Sequence, residues 1–352
     1  EKDGALTLWT VIRTFLKGSI EAFQSPDGIL QRNDFVEVER LGRNRCRVPQ
    51  EQRERVYDEF LRYQKYLDDH QLWDDCDRVR HLLLRIKESM EVDPDAFGQV
   101  QKSKVYVDEV QDYTQLEILL FFYLGGPNGL LLAGDPAQSV VEGTEFRFEE
   151  IRSVGHFVGS TIQKPKTVNV NFRSHSGILN CAGGVLDFMF THFPGTKQLK
   201  KDAGLFQGSR PGVLSGASIH QLIILLNEKL KGAVVITHDE SALHWRRLLN
   251  DYKLVYGIRE AKGLEFKTVI LLDFFREIPS SLQKPWRELV LDRASDDFER
   301  SHPLVGTLLK LLYTGVTRCI EKLFFVETKS SIAGDATMRW LTKKGLDRAA
   351  FA

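Results

Sequence analysis

Segment 104–112 reads KVYVDEVQD, a short apolar run that ends in two adjacent carboxylates. Two carboxylates at the tip of a buried strand are costly unless a cation or a proton neutralises them. Magnesium carrying a nucleotide would do so. Asp108 would hold the hydrated ion, and Glu109 would take the proton from an attacking water. An acidic surface loop is the alternative reading of a lone Asp-Glu pair; the Gln-Asp and the helical pattern that follow it favour chemistry. Segment 130–139, LLLAGDPAQS, is a second apolar run that enters a tight turn at Asp135. There Gln138 can present its amide to a phosphate or to water, and an ordinary turn is the alternative. Segment 168–174, VNVNFRS, places Arg173 just past a strand end, where a planar guanidinium can grip a phosphate. Phe172 beside it offers a flat face to a base. In segment 258–266, IREAKGLEF, Gly263 permits close backbone approach and Glu265 can accept bonds from a ribose. Segment 312–319, LYTGVTRC, supplies Arg318 as a second cation.

These residues need strand tips to hold them, and the hydrophobic pattern supplies strands. Short apolar runs at 104–107, 129–133, 167–170, 233–237, 268–273 and 323–326 alternate with helical patterns at 114–123, 176–190, 241–249 and 304–316. Such alternation predicts an α/β fold with parallel sheets covered on both faces, and ligands at strand carboxyl ends. Residues 1–97 read differently. Leu8, Val11, Ile12, Phe15 and Leu16 recur at helical spacing, as do Val56, Phe60, Tyr63 and Leu67, and again Val79, Leu82, Leu83 and Ile86. The expected organisation is a helical accessory region at 1–97, a partial first domain at 98–164, a second domain at 165–330 and a tail at 331–352.

Composition excludes several classes. The 352 residues carry 48 Lys plus Arg and 48 Asp plus Glu, so the formal charge is zero and any nucleic-acid track must be local. One dense basic stretch, Arg40, Arg43, Arg45, Arg47, Arg53 and Arg55, reads either as a solvated helix face or as a phosphate contact. Four scattered cysteines form no C-x-x-C pair and argue against a zinc ribbon or a disulfide framework. No apolar run approaches the roughly 20 residues of a membrane span. The expected location is intracellular, in nucleus or cytoplasm.

Taken in order, the five segments resemble motifs II to VI of the superfamily 1 DNA helicases of the UvrD/Rep/PcrA type. DEVQD at 108–112, GDPAQS at 134–139, NFRS at 171–174, AKGLEF at 261–266 and YTGVTR at 313–318 carry the resemblance. It implies two RecA-like parallel-sheet domains with an N-terminal helical insertion, and ATP hydrolysed with Mg2+ between them. Asp108 would bind the metal, Glu109 would be the catalytic base and Gln138 would sense the γ-phosphate. Arg173 and Arg318 would act as arginine fingers. Phe172 would stack on adenine, with Gly263, Glu265 and Asp135 also lining the nucleotide. The resemblance further implies translocation on a single strand, DNA rather than RNA. Segment 143–150, GTEFRFEE, is similar to the helicase-like region of a large repeat-containing protein and its fungal relatives. By that likeness Phe146, Arg147 and Phe148 would stack on single-stranded bases; core packing is the alternative for both phenylalanines.

Three departures qualify the resemblance. No G-x-x-x-x-G-K-[ST] loop occurs in the chain, so the phosphate loop is expected upstream of Glu1 and this chain alone is expected to be ATPase-inactive. Arg259 stands where the family carries histidine, at a position coupled to nucleic acid. Motifs IV and V are too close for a large second accessory domain, which disfavours duplex unwinding. The rival reading is a non-catalytic pseudo-helicase scaffold within a larger repeat protein. Oligomeric state is not legible.

Overall fold

The computed structural model describes residues 2–37, 46, 48–102, 104–126, 129–140, 148–193, 200–250, 252–346 and 348–349. Phe146 and Arg147 lie outside them, as do Arg40, Arg43, Arg45 and Arg47. The chain is an α/β protein with parallel sheets, and it divides into two compact units, Glu1–Lys166 and Thr167–Ala352.

The first unit opens with helices. α1 (Lys2–Val11) continues through a wider π-type turn at Ile12–Leu16; α2 (Ile20–Gln24) and α3 (Arg32–Val36) follow. Two long helices, α4 (Gln50–Asp69) and α5 (Asp75–Val92), come next, then α6 (Pro94–Val100). The spacing read in the sequence corresponds to a real core: Val11, Ile12, Phe15, Leu16, Phe35 and Phe60 are buried together. The third predicted stripe divides, with Leu83 buried and Leu82 exposed. Asp74 caps α5 through a reciprocal capping box with Asp77, and the buried Lys17 ammonium pairs with both carboxylates, at 2.8 and 2.6 Å.

The basic stretch contains a correction. Arg53 is neither a solvated face nor a phosphate contact. Its guanidinium is buried and donates to the carbonyls of Val48 at 3.1 Å, Phe35 at 3.1 Å and Cys46 at 3.2 Å. It satisfies three backbone carbonyls, one from α3 and two from the stretch before α4.

β1 (Val105–Val107) and β2 (Leu130–Leu132) then pair in parallel, with Tyr106 opposite Leu131. Between them runs α7 (Gln115–Gly125), capped by Thr114 and Glu117; α8 (Phe148–Phe157) follows β2. Val110, Leu116, Leu119, Phe122 and Val154 form the core here, with Leu130, Leu132 and Phe148 packed against it. Phe148 therefore takes the core alternative. The expectation of a sheet covered on both faces does not hold here, because Tyr106 is 68% and Leu131 58% exposed.

The second unit begins with a small parallel pair, β3 (Val170–Asn171) and β4 (Ala203–Gly204), joined by α9 (Ser176–His192). Its main sheet contains β5 (Gly212–Ser215), β6 (Val234–Thr237), β7 (Val255–Gly257), β8 (Phe266–Leu272), β9 (Cys319–Glu327) and β10 (Arg348–Ala349). The spatial order is β10-β5-β9-β8-β6-β7, every pairing parallel. α10 (Ile219–Ile224), α11 (Ala242–Leu248), α12 (Ser280–Val290), α13 (Phe298–Ser301), α14 (Pro303–Thr317) and α15 (Ile332–Lys343) complete the unit. The stretch expected to be a tail thus supplies a helix and an edge strand. β6 is buried throughout and β8 over its last four residues, as strands covered on both faces must be.

Among the described residues no helix is long and apolar enough to cross a membrane.

Candidate functional site

In the first unit the two strand tips carry the predicted chemistry. β1 runs directly into Asp108 and Glu109, and β2 into Ala133, Gly134 and Asp135. The backbone ties the tips together: Ala133 N donates to Val107 O at 2.8 Å, and Val110 N donates to Ala133 O at 2.9 Å. Glu109 adopts a left-handed backbone, φ 54°, which is uncommon for a residue with a side chain and clusters at functional sites. Its N–H donates to Asp108 Oδ1 at 2.9 Å. Its carboxylate accepts from Gln111 Nε2. Asp135 turns the second tip, Oδ1 accepting from Ala137 N at 2.9 Å and Oδ2 from Gln138 Nε2 at 3.0 Å. Asp108, Glu109, Asp135 and Gln138 therefore occupy adjacent strand ends. The described residues contain no group of three or more His, Cys, Asp or Glu side chains able to cage a metal. This donor set suits a magnesium ion that keeps its waters and takes one or two carboxylates beside a phosphate.

In the second unit Asn171 builds the turn after β3. Its Oδ1 accepts from Arg173 N and Ser174 N, both at 2.9 Å, and its Nδ2 donates to Asp202 Oδ2 at 2.8 Å. Ser174 Oγ donates to Cys319 O at 2.7 Å, which fixes this turn beside the start of β9. Arg173 forms an ion pair with Glu265, so two of the predicted site residues meet. Phe172 stands 70% exposed at the same turn, with Leu205 and Phe206 also exposed just past β4. Gly263 has φ +76°, with open space where a Cβ would lie.

Arg318 is placed differently from a free cation. It is buried, donating from Nε to Thr314 O at 3.1 Å, from one terminal nitrogen to Leu264 O at 3.2 Å and from the other to Thr317 Oγ1 at 3.3 Å. It joins the C-terminus of α14 to the loop before β8. Arg259 lies apart from this group, past the end of β7. Its backbone N–H and its guanidinium both donate to Asp239, at 2.9 and 2.8 Å. Gly257 makes that pairing possible, since a Cβ there would lie 2.3 Å from Asp239 Oδ1. The carboxyl-end expectation therefore holds in the first unit and, beyond it, for Phe172 and Arg173 after β3 and for Arg259 after β7. In the second unit, Glu265 and Arg318 precede β8 and β9 at their amino ends.

The carboxyl ends of β8 and β9 instead carry a reciprocal brace. Asp273, buried with φ 49°, accepts from Thr328 N and Thr328 Oγ1, both at 2.6 Å, and from Arg276. Glu327, also buried, accepts from Phe275 N at 3.1 Å and Arg276 N at 2.9 Å. Each strand tip thus holds the exit loop of the other. Burial, with the nearby Asp273 and Glu277 charges, pushes the Glu327 carboxyl up to about 8. Crevices of about 280 and 250 Å³ open along this edge, both lined by Lys329 and neither by a predicted site residue.

Sequence reasoning missed Gln111 and Asp239. Gln111 was visible within DEVQD but was not singled out; Asp239 carries no local motif and is found only through its partner.

No family model matches the chain. The chain is 35% identical over 368 residues to TPR and ankyrin repeat-containing protein 1 of Homo sapiens, an alignment covering 91% of this chain. The chain spans only 12% of that relative's length. Among solved structures it is similar to the C-terminal domain of a possible DNA helicase from Lactobacillus plantarum WCFS1, at TM-score 0.29 and 15% identity, covering 51% of this chain and 99% of that one.

Proposed function

We propose that the chain is part of an ATP-dependent superfamily 1 helicase or translocase acting on single-stranded nucleic acid. The observation that carries this reading is the pair of linked strand tips in the first unit: Asp108 and Glu109 beside Asp135 and Gln138, with Glu109 held in a left-handed backbone. Asp108 would hold magnesium, which neutralises phosphate charge when bound. Glu109 would accept the proton of the attacking water, and Gln138 would report on the terminal phosphate. From the second unit, Phe172 would take the base and Arg173 the phosphates. Glu265, now paired with Arg173, would turn to the ribose. Arg318 would act on the phosphates by exchanging a carbonyl partner for a phosphate oxygen. The exposed apolar face at Tyr106 and Leu131 suits the packing of further β-α elements.

The scaffold alternative draws support from one feature: both candidate arginine fingers have protein partners, Arg173 at Glu265 and Arg318 at backbone carbonyls. The deciding experiment is ATP hydrolysis by the full-length protein with and without single-stranded DNA. Strand-stimulated hydrolysis that Glu109→Gln abolishes is the expected result. A folded full-length protein without hydrolysis under either condition establishes the scaffold.

A further inference from the structure

Gln111 has no exposed surface. A buried amide must find partners at both ends, and those partners fix its orientation. Its Nε2 donates to a Glu109 carboxylate oxygen, and its Oε1 accepts from Asp135 N at 2.9 Å. One side chain therefore spans from the β1 tip to the β2 tip. Ser139 Oγ adds a contact to Gln111 O at 3.5 Å. Beyond Asp135 N the path continues through the Asp135 carboxylate to the Gln138 amide.

The space for this link comes from a neighbouring glycine. A Cβ on Gly134 would lie 2.3 Å from Gln111 Oε1, 2.9 Å from Val110 Cγ1 and 3.1 Å from Val110 N. Gly134 does not adopt a positive φ, so close approach rather than backbone freedom is what the position requires.

We propose that Gln111 is a positioning residue: it aims the Glu109 carboxylate and couples it to the Asp135–Gln138 turn, and Gly134 is the vacancy that admits it. This rests on the reading of Glu109 as the base. Gln111 itself is walled off from substrate by its burial. Its role is to hold the Glu109 carboxylate through that bond.

The test is steady-state ATP hydrolysis by the full-length protein bearing Gln111→Glu, Gln111→Ala, Gly134→Ala and the Gln111→Ala/Gly134→Ala pair, with Glu109→Gln as reference. Gln111→Glu keeps the shape and the acceptor for Asp135 N but removes the donor to Glu109. It should lower kcat about 10- to 100-fold, the scale of a misaimed catalytic group, with KM for ATP within about twofold. Gly134→Ala should do likewise by displacing Gln111. In the Gln111→Ala background it should add little, because the space is then open. A folded Gln111→Glu variant with wild-type kcat, while Glu109→Gln is dead, overturns this inference and leaves the functional reading standing. Additive effects of the Gln111 and Gly134 changes also overturn it. Full activity in Glu109→Gln, or no hydrolysis by the wild type, overturns both together.

Discussion

Glu327 makes the stability of the second unit depend on pH in an unusual direction. Its carboxyl is buried at the end of β9. The charged groups facing it are Asp273 and Glu277, both acidic, and Arg276, whose guanidinium is already paired with Asp273. Two backbone N–H groups favour the carboxylate, but burial outweighs them and raises the carboxyl from its ordinary 4.5 to about 8. The folded state therefore binds the proton more tightly than the unfolded state does. Stability from this group is fully present below pH 4.5 and is lost as pH rises through 8. A full shift of that size corresponds to about 5 kcal/mol, and most of it should disappear between pH 5 and pH 8. The assay is urea unfolding of wild type and Glu327→Gln at half-unit steps from pH 5 to pH 8.5. Other groups titrate in both proteins, so the difference between the two curves isolates Glu327. That difference should favour wild type progressively as pH falls, by roughly 1 kcal/mol per unit. Parallel curves, with a difference constant to within about 0.3 kcal/mol, would refute the reasoning.

Arg53→Met should destabilise the first unit by about 3–5 kcal/mol, because three buried carbonyls lose their donor; a urea midpoint unchanged from wild type would contradict this. Gly177→Ala should cost about 2–3 kcal/mol by calorimetry, since its Cβ would lie 2.4 Å from Ser209 O and 2.8 Å from Arg210 N, backbone atoms that cannot swing aside. Arg318→Ala should lower stability by about 2–3 kcal/mol in chemical denaturation, because the side chain bridges α14 and the loop before β8. A purely catalytic arginine would leave the unfolding curve in place.

The amino-acid sequence alone determined the alternation of strands and helices and the residues at the two strand tips of the first unit. Apolar periodicity and tip chemistry are local, and they can be read within a dozen residues: β1, β2, β6, β8 and β9 all lie within the predicted apolar runs or extend them. The helical character of the first hundred residues was legible for the same reason. The strands β5, β7 and β10 fall outside those runs. Only the tertiary structure decided which polar groups are buried and which partner each one has. Arg53 looked solvated among other arginines, yet it satisfies carbonyls contributed by two chain segments. Arg318 was expected as a cation for phosphates, but a carbonyl 54 positions away in sequence accepts from it. Arg259 is claimed by Asp239 and Glu327 by the loop after β8, partners 20 and about 50 positions distant. Desolvation and hydrogen-bond satisfaction depend on what folding brings alongside a group, and no local pattern in the chain records that.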